Sequence, residues 1–324
     1  MPMKTPSLIV RLCHSRLTTQ SPRPLLSVVA AAVLSIFILA SPMQTQAAPL
    51  IAAHRGGTGD GPENTIIALQ NSLKNGADVI WMTVQLSSDG VPVLYRPADV
   101  SAQTNGKGLV NTLTAAQLGA LNAGMAFSQI DAMGNKTYPY RDHPVGIPTL
   151  KEALRSVPNT VPILVDMKQL PAAPLVTAIA KVLDAEHAWQ RVRFYSTDPE
   201  LIRLMAAYPK AQLFETRDAT RDRLASVALT GECETPPAAG TWVGIELDRK
   251  VTVVEKFTLG EGTSTVNAHW WTPAAVSCFR TNGDVKIVTF GVDTRAAYSR
   301  AEKLGIDIVM TDSPSMMKAI RDAK

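Results

Sequence analysis

Residues 50–86 read "LIAAHRGGTGDGPENTIIALQNSLKNGADVIWMTVQL". The apolar run "LIAAHRG" has strand character and breaks at a cluster of glycines. "PENTIIALQNSLKNGA" follows with helical spacing, Pro62 near its first turn and Gly76 near its end, as helix starts and stops favour. "DVIWMTVQL" is apolar and β-branched again, and a turn at Ser88-Asp89-Gly90 leads into a further strand, "VPVLY". A strand, a helix and a strand in this order form a parallel pair joined by a helical crossover.

The unit recurs to the end of the chain. The helix "TLKEALRSV" precedes the strand "PILVDMK" and the helix "APLVTAIAKVLDAEH". "VRFYST" pairs with "DPELIRLMAAY" and "AQLFET" with "RDRLASVAL". "WVGIELD" leads into a less regular region, after which "KIVTFGVD", "RAAYSRAEKLG", "DIVMTD" and "SMMKAIRDA" restore the alternation. Roughly eight units over residues 48–324 predict a single α/β domain, a (β/α)8 TIM barrel, which typically takes about 250 residues. A doubly wound open sheet is the alternative, but no G-x-G-x-x-G follows the first strand. Segments 129–146 and 231–241, rich in Gly, Pro and polar residues, read as loop insertions.

The first 47 residues belong to a different class. A leader with Lys4, Arg11, Arg16 and Arg23 and no acid precedes the apolar run "LLSVVAAAVLSIFILA", Leu25–Ala40. That run falls short of the roughly 20 residues that span a bilayer comfortably. Thr45-Gln46-Ala47 then offers small residues before a cut at Ala48, the pattern of a signal peptide. The expectation is an exported protein, periplasmic or secreted, with no stable membrane span in its mature form. An uncleaved N-terminal anchor is the alternative. Without the leader's four cations, 28 basic residues face 28 acidic ones, so no excess positive charge speaks for nucleic acid as a partner. Cys233 and Cys278 remain after the leader, either as a disulfide suited to an oxidising compartment or as two separate thiols.

In a barrel of this kind, chemistry gathers at the C-terminal ends of the strands. His54-Arg55 ends the first strand, and Asp166 and Lys168 end "PILVDMK" two residues apart, on one side of the strand. Glu63 is expected to open the following helix, and Asp312 ends the last strand. Any one of them alone suits a cap or a loop bond; together at one rim they suggest a site.

The motifs "HRG", "PENT", "GAD", "SDGVPV", "TNGKG", "IPTLKEAL", "VDMK" and "GIDIVMTDSP" resemble, in this order, the glycerophosphodiester phosphodiesterase family. The resemblance implies a phospholipase-C-like phosphodiesterase barrel that cleaves glycerophosphodiesters to glycerol 3-phosphate and an alcohol. It also implies a divalent cofactor, Ca2+ or Mg2+, and two histidines as general acid and base. His54 matches the first of these and Arg55 the phosphate-contacting arginine beside it. Departures are concentrated in one stretch. Where the family has an E-x-D metal pair this chain has Trp81 and Thr83, and where it has H-D this chain has Arg96-Pro97. Asp166-Met167-Lys168 stands for the family's E-x-K.

These changes reshape the expected chemistry. A hard divalent cation needs several oxygen ligands, and Glu63 and Asp166 would leave a weak or absent metal site. Arg96 stays protonated and cannot replace a histidine in proton transfer, but its planar fork suits phosphate oxygens. The expected catalytic set is His54, Arg55, Arg96 and Lys168, with Arg55, Arg96, Lys168 and Trp81 facing the substrate and Trp81 alternatively filling a vacated metal cavity. Asp99, Asp142 and Glu246 are candidate replacement carboxylates. Two functions are open: an exported phosphodiesterase acting on a small-molecule phosphodiester or lipid headgroup, or a non-catalytic relative that binds such an anion.

Overall fold

The computed structural model describes residues 47–323, which lie within one compact unit, Thr45–Lys324. The leader and its expected cleavage site before Ala48 lie almost wholly outside the described residues.

Eight parallel strands form the barrel: β1 (Leu50–His54), β2 (Val79–Leu86), β3 (Ile163–Met167), β4 (Val192–Tyr195), β5 (Gln212–Leu213), β6 (Trp242–Glu246), β7 (Lys286–Phe290) and β8 (Ile308–Thr311). Each pairs with its neighbours in sequence, and β1 pairs with β8. Between β5 and β6 the closure is thin: a bridge between Phe214 and Trp242 and a hydrogen bond from Glu215 N to Trp242 O at 2.8 Å. The barrel is therefore nearly closed, as the alternation of strands and helices predicts.

Side-chain alternation decides what fills it. Along β2, Val79 and Trp81 point inward and join Ala52, Leu164, Tyr195 and Phe290 in an interior cluster. Ile80, Met82 and Val84 point outward against the helix Ala172–Ala185 and its neighbours. A comparable outer layer under β6 and β7 packs Val243, Ile245, Ile287 and Phe279. Trp81 is the largest interior residue of β2, with Tyr195, Phe290 and Phe214 ring centroids at 5.1, 5.2 and 6.4 Å. This supports the cavity-filling alternative: only 2% of Trp81 is exposed.

Cys233 and Cys278 form a disulfide with Cα atoms 5.4 Å apart, joining the 231–241 loop to the helix Pro273–Phe279. The expected disulfide is present.

Two elements differ from the sequence reading. The helix after β1 starts at Ile66, with Thr65 as its N-cap accepting from Ala68 N. Glu63 therefore does not open the helix but lies in the loop before it, because the threonine hydroxyl, not Pro62, supplies the cap. The region after β6 is also far from irregular. Asp248–Phe257 and Gly260–His269 form an antiparallel hairpin ten pairs long. Its alternating Val and Thr residues favour extended backbone, but the turn lacks the Asn-Gly signal that marks hairpins in sequence.

Candidate active site

The inward positions at the strand ends converge on a cavity of about 460 Å³ at the C-terminal mouth of the barrel. It is lined by His54, Arg55, Trp81, Arg96, Asp166 and Lys168 from the sequence-derived set, together with Glu246 and Asp312. Sequence reasoning missed Tyr195, Thr197, Arg217, Arg249 and Asp293, which line it too. Tyr195 and Asp293 stand at the ends of "VRFYST" and "KIVTFGVD", where the strand-end rule could have found them. Arg217 and Arg249 lie beyond the strand ends and carried no such signal.

The loop after β1 has strained backbone. Arg55 and Asn64 sit at φ 52° and 58°, non-glycine residues in the left-handed region. Asn64 N donates to Arg55 O at 2.8 Å, and Asn64 Oδ1 accepts from Thr83 N at 3.0 Å, tying the loop to β2. Gly57 is required at φ 89°: a Cβ there would come within 2.8 Å of Pro314 Cδ. The loop thus presents His54 and Arg55 in one fixed arrangement.

His54 Nδ1 and Asp312 Oδ1 are 2.6 Å apart. That bond, helped by Thr58, holds the Asp312 carboxyl below its usual range despite partial burial. An ionised carboxylate only accepts, so Nδ1 carries the proton and Nε2 is left for a reacting group. Asp312 is itself fixed through its backbone N–H, which donates to Asp293 Oδ1 at 2.7 Å.

Most cations in the pocket have a carboxylate. Arg55 Nη1 bonds Glu63 Oε2 at 2.6 Å, and Lys168 Nζ lies 3.3 Å from Asp166 Oδ1. Arg217 bridges Glu246 Oε2 at 2.5 Å and the Tyr195 hydroxyl at 3.0 Å, and Arg249 comes within 4.0 Å of Glu246. Arg96 is the exception: it is exposed and, among the described residues, forms no ion pair with a carboxylate. Its backbone is nevertheless clamped, since Gln85 Nε2 donates to Tyr95 O at 2.9 Å and to Pro97 O at 2.8 Å. Five arginines and lysines line the cavity against four carboxylates, and Glu63 beside Arg55 makes the two numbers equal. Arg96, without a carboxylate partner among the described residues, is therefore the charge that favours an anion.

The metal expectation meets a different environment. The family typically uses a divalent metal. Among the described residues, however, no group of three or more His, Cys, Asp or Glu side chains is placed to hold a metal ion. Glu63 is turned to Arg55 and lines an adjacent cleft with Thr58 and Phe127. The Thr83 hydroxyl is fully buried and Asp99 caps its own turn through Ser101 N, while Asp142 does not line the cavity. Glu63, Asp166 and Glu246 each already face a cation, and Asp293 accepts from the Thr311 hydroxyl and the Asp312 N–H. The residues present do not fit a tightly held divalent ion.

Burial pushes the Asp166 carboxyl up to about 6, although Lys168, Arg55 and His54 oppose it. Its charge therefore disappears as pH falls through about 6, and an anion in the pocket loses a repulsive neighbour. The affinity for a diester of constant charge should rise by about fivefold across that range, on the order of 1 kcal/mol for one screened charge. Calorimetric titration of glycerophosphocholine at several pH values measures it. Asp166→Asn should show the higher affinity throughout and remove this part of the pH dependence; an unchanged pH profile would contradict the assignment.

Comparison with known proteins agrees with this fold. Residues 54–316 match the model of the glycerophosphoryl diester phosphodiesterase family. The chain is 46% identical over 266 residues to the uncharacterized protein Rv2277c of Mycobacterium tuberculosis, covering 82% of this chain and 87% of that one. The crystal structure of that protein's glycerophosphoryl diester phosphodiesterase domain superposes with a TM-score of 0.79 at 43% identity, covering 85% of this chain and all of that domain. An Oleispira antarctica phosphodiesterase, solved in complex with its product sn-glycerol-3-phosphate, shares the fold at a TM-score of 0.61 and 20% identity, over 85% of this chain and 97% of that one.

Proposed function

The chain belongs to the glycerophosphoryl diester phosphodiesterase family, and from that premise we propose that it hydrolyses glycerophosphodiesters by neutralising the phosphate with its own cationic side chains. The observation that carries this reading is the cavity at the barrel mouth, where His54, Arg55, Arg96 and Lys168 meet. Arg96, Lys168 and Arg55 hold the diester anion by charge-assisted hydrogen bonds. His54 Nε2 takes a proton from the attacking water, and Asp312 stabilises the imidazolium through Nδ1.

A bond from the water oxygen to phosphorus forms as the bond from phosphorus to the alcohol oxygen breaks. The leaving oxygen needs a proton, and Asp166, with its carboxyl lifted to about 6, is the group suited to supply it. The products are glycerol 3-phosphate and the alcohol, and His54 returns its proton through solvent. Lys168 keeps Asp166 in place at 3.3 Å.

We propose in addition that the protein works outside the cytoplasm. The basic and apolar leader and the Cys233–Cys278 bond support an oxidising compartment. No helix among the described residues is long and apolar enough to cross a membrane.

The second reading, an anion-binding relative without turnover, is favoured by Arg96 standing where the family has its second histidine. Release of glycerol 3-phosphate from glycerophosphocholine or glycerophosphoethanolamine, with and without chelator, separates the two. Calorimetric binding of glycerol 3-phosphate with no release from any diester would establish the second reading and end the first.

A further inference from the structure

Among the described residues, the hairpin that follows β6 is mostly exposed, with Arg300 meeting Asp248 and His269 at its base. A two-stranded ribbon is marginal in water without a third strand or a packed face, yet this one runs ten pairs, about 30 Å at the usual rise. Opposed residues share a face. One face carries Val251 opposite Val266, Val253 opposite Ser264, and Phe257 opposite Gly260, interrupted by Glu255 opposite Gly262. Phe257 also folds across Gly262, whose added Cβ would meet the ring at 2.7 Å. Phe257 is 63% exposed and Leu259, in the turn, 99%. The other face is mostly polar, with Lys250, Thr252, Lys256 and Glu261 around an exposed Val254.

The apolar face is continuous with the catalytic pocket. Arg249 belongs to the same face by alternation, opposite Ala268, and it lines the cavity beside Glu246. A second short hairpin, Gln129–Ile130 with Lys136–Thr137, leaves Ile130 68% and Met133 83% exposed. It extends from Phe127 and Ser128, which share a cleft with Glu63, the partner of Arg55. Seven of the twelve exposed large hydrophobic side chains among the described residues lie on these two hairpins. One hairpin springs from the active-site pocket at Arg249 and the other from the adjoining cleft at Ser128, so these side chains are grouped instead of scattered over the surface.

We infer that this face docks on a lipid bilayer, the two hairpins entering its interfacial layer, so that the phosphodiester reaching Arg96 is part of a membrane lipid's headgroup. For its substrate the inference rests on the phosphodiesterase reading; the docking itself does not. Residues 248–269 hold three cations, Arg249, Lys250 and Lys256, against three acids, Asp248, Glu255 and Glu261. Attachment is therefore by apolar insertion and suits a zwitterionic surface. A second copy of the chain would need a broad complementary patch; two narrow hairpins with apolar tips suit a fluid layer.

Co-sedimentation of the purified Thr45–Lys324 unit with phosphatidylcholine vesicles tests this. The unit should bind, and a severalfold increase in salt should leave binding unchanged. Leu259→Asp with Phe257→Asp should weaken the partition by about tenfold or more, while glycerophosphocholine turnover and thermal midpoint stay as they were. Failure of the parent protein to bind vesicles would overturn the inference, as would equal binding by the variant or a Leu259-dependent dimer in sedimentation equilibrium. Vesicle binding that needs Leu259, in a protein that hydrolyses no diester, would uphold docking and reject the phosphodiesterase reading.

Discussion

His54→Ala should lower the release of glycerol 3-phosphate from a glycerophosphodiester by about a hundred- to ten-thousand-fold, the range over which a positioned acid or base contributes. The expectation follows from geometry: a bond of 2.6 Å from Nδ1 to Asp312 fixes the ring, and His54 lines the cavity. Loss of the ring removes proton transfer but leaves Arg55, Arg96 and Lys168 in place. KM, and the affinity for glycerol 3-phosphate, should therefore change far less than kcat. Asp312→Asn should act in the same direction and less severely, because an amide cannot stabilise the imidazolium and disturbs the tautomer. Steady-state kinetics on the three proteins, with calorimetric titration of product, separates these effects. Turnover within about threefold of the parent after His54→Ala would remove His54 from the mechanism.

The barrel was legible because burial is periodic. "PILVDMK" and "DVIWMTVQL" bury both faces of a parallel strand, and "APLVTAIAKVLDAEH" buries one stripe of a helix; each pattern is local. The rim residues were legible for the same reason, since a strand's end is visible in sequence and the C-terminal rim gathers chemistry. His54, Asp166, Lys168 and Asp312 came from that rule, and the structure brings all four to one cavity.

What was not legible depends on contacts far apart in sequence. The Gln85 amide that clamps Tyr95 and Pro97, and the Arg217 bridge between Tyr195 and Glu246, are set by tertiary packing. Glu63 was misplaced by one turn because both Pro62 and Thr65 can mark a helix start and only the hydroxyl caps this one. The 248–269 hairpin escaped because both of its faces are exposed, so no contrast of buried and solvated residues marked its period.

The same distinction governs Arg96, whose identity is plain in sequence and whose role depends on its surroundings. Removal of divalent metal should leave phosphodiesterase turnover within about twofold, whereas Arg96→Ala should weaken phosphate binding by about 1.5–3 kcal/mol, the cost of a lost charge-assisted hydrogen bond. Arg55, Lys168 and Arg217 already share their charge with Glu63, Asp166 and Glu246. Arg96 lines the cavity with no carboxylate partner among the described residues and with its backbone held on both sides, so its full charge faces an incoming anion. A divalent ion in the same space would meet that charge as repulsion and would find Trp81 and Thr83 in place of two acidic ligands. Arg96→Lys, which keeps the charge but loses the planar fork, should fall between the parent and Arg96→Ala. Titrations of Ca2+ and of glycerol 3-phosphate into each protein, with turnover assayed before and after chelation, decide the matter. Micromolar Ca2+ affinity together with anion binding indifferent to Arg96→Ala would show that a metal, and not this guanidinium, neutralises the phosphate.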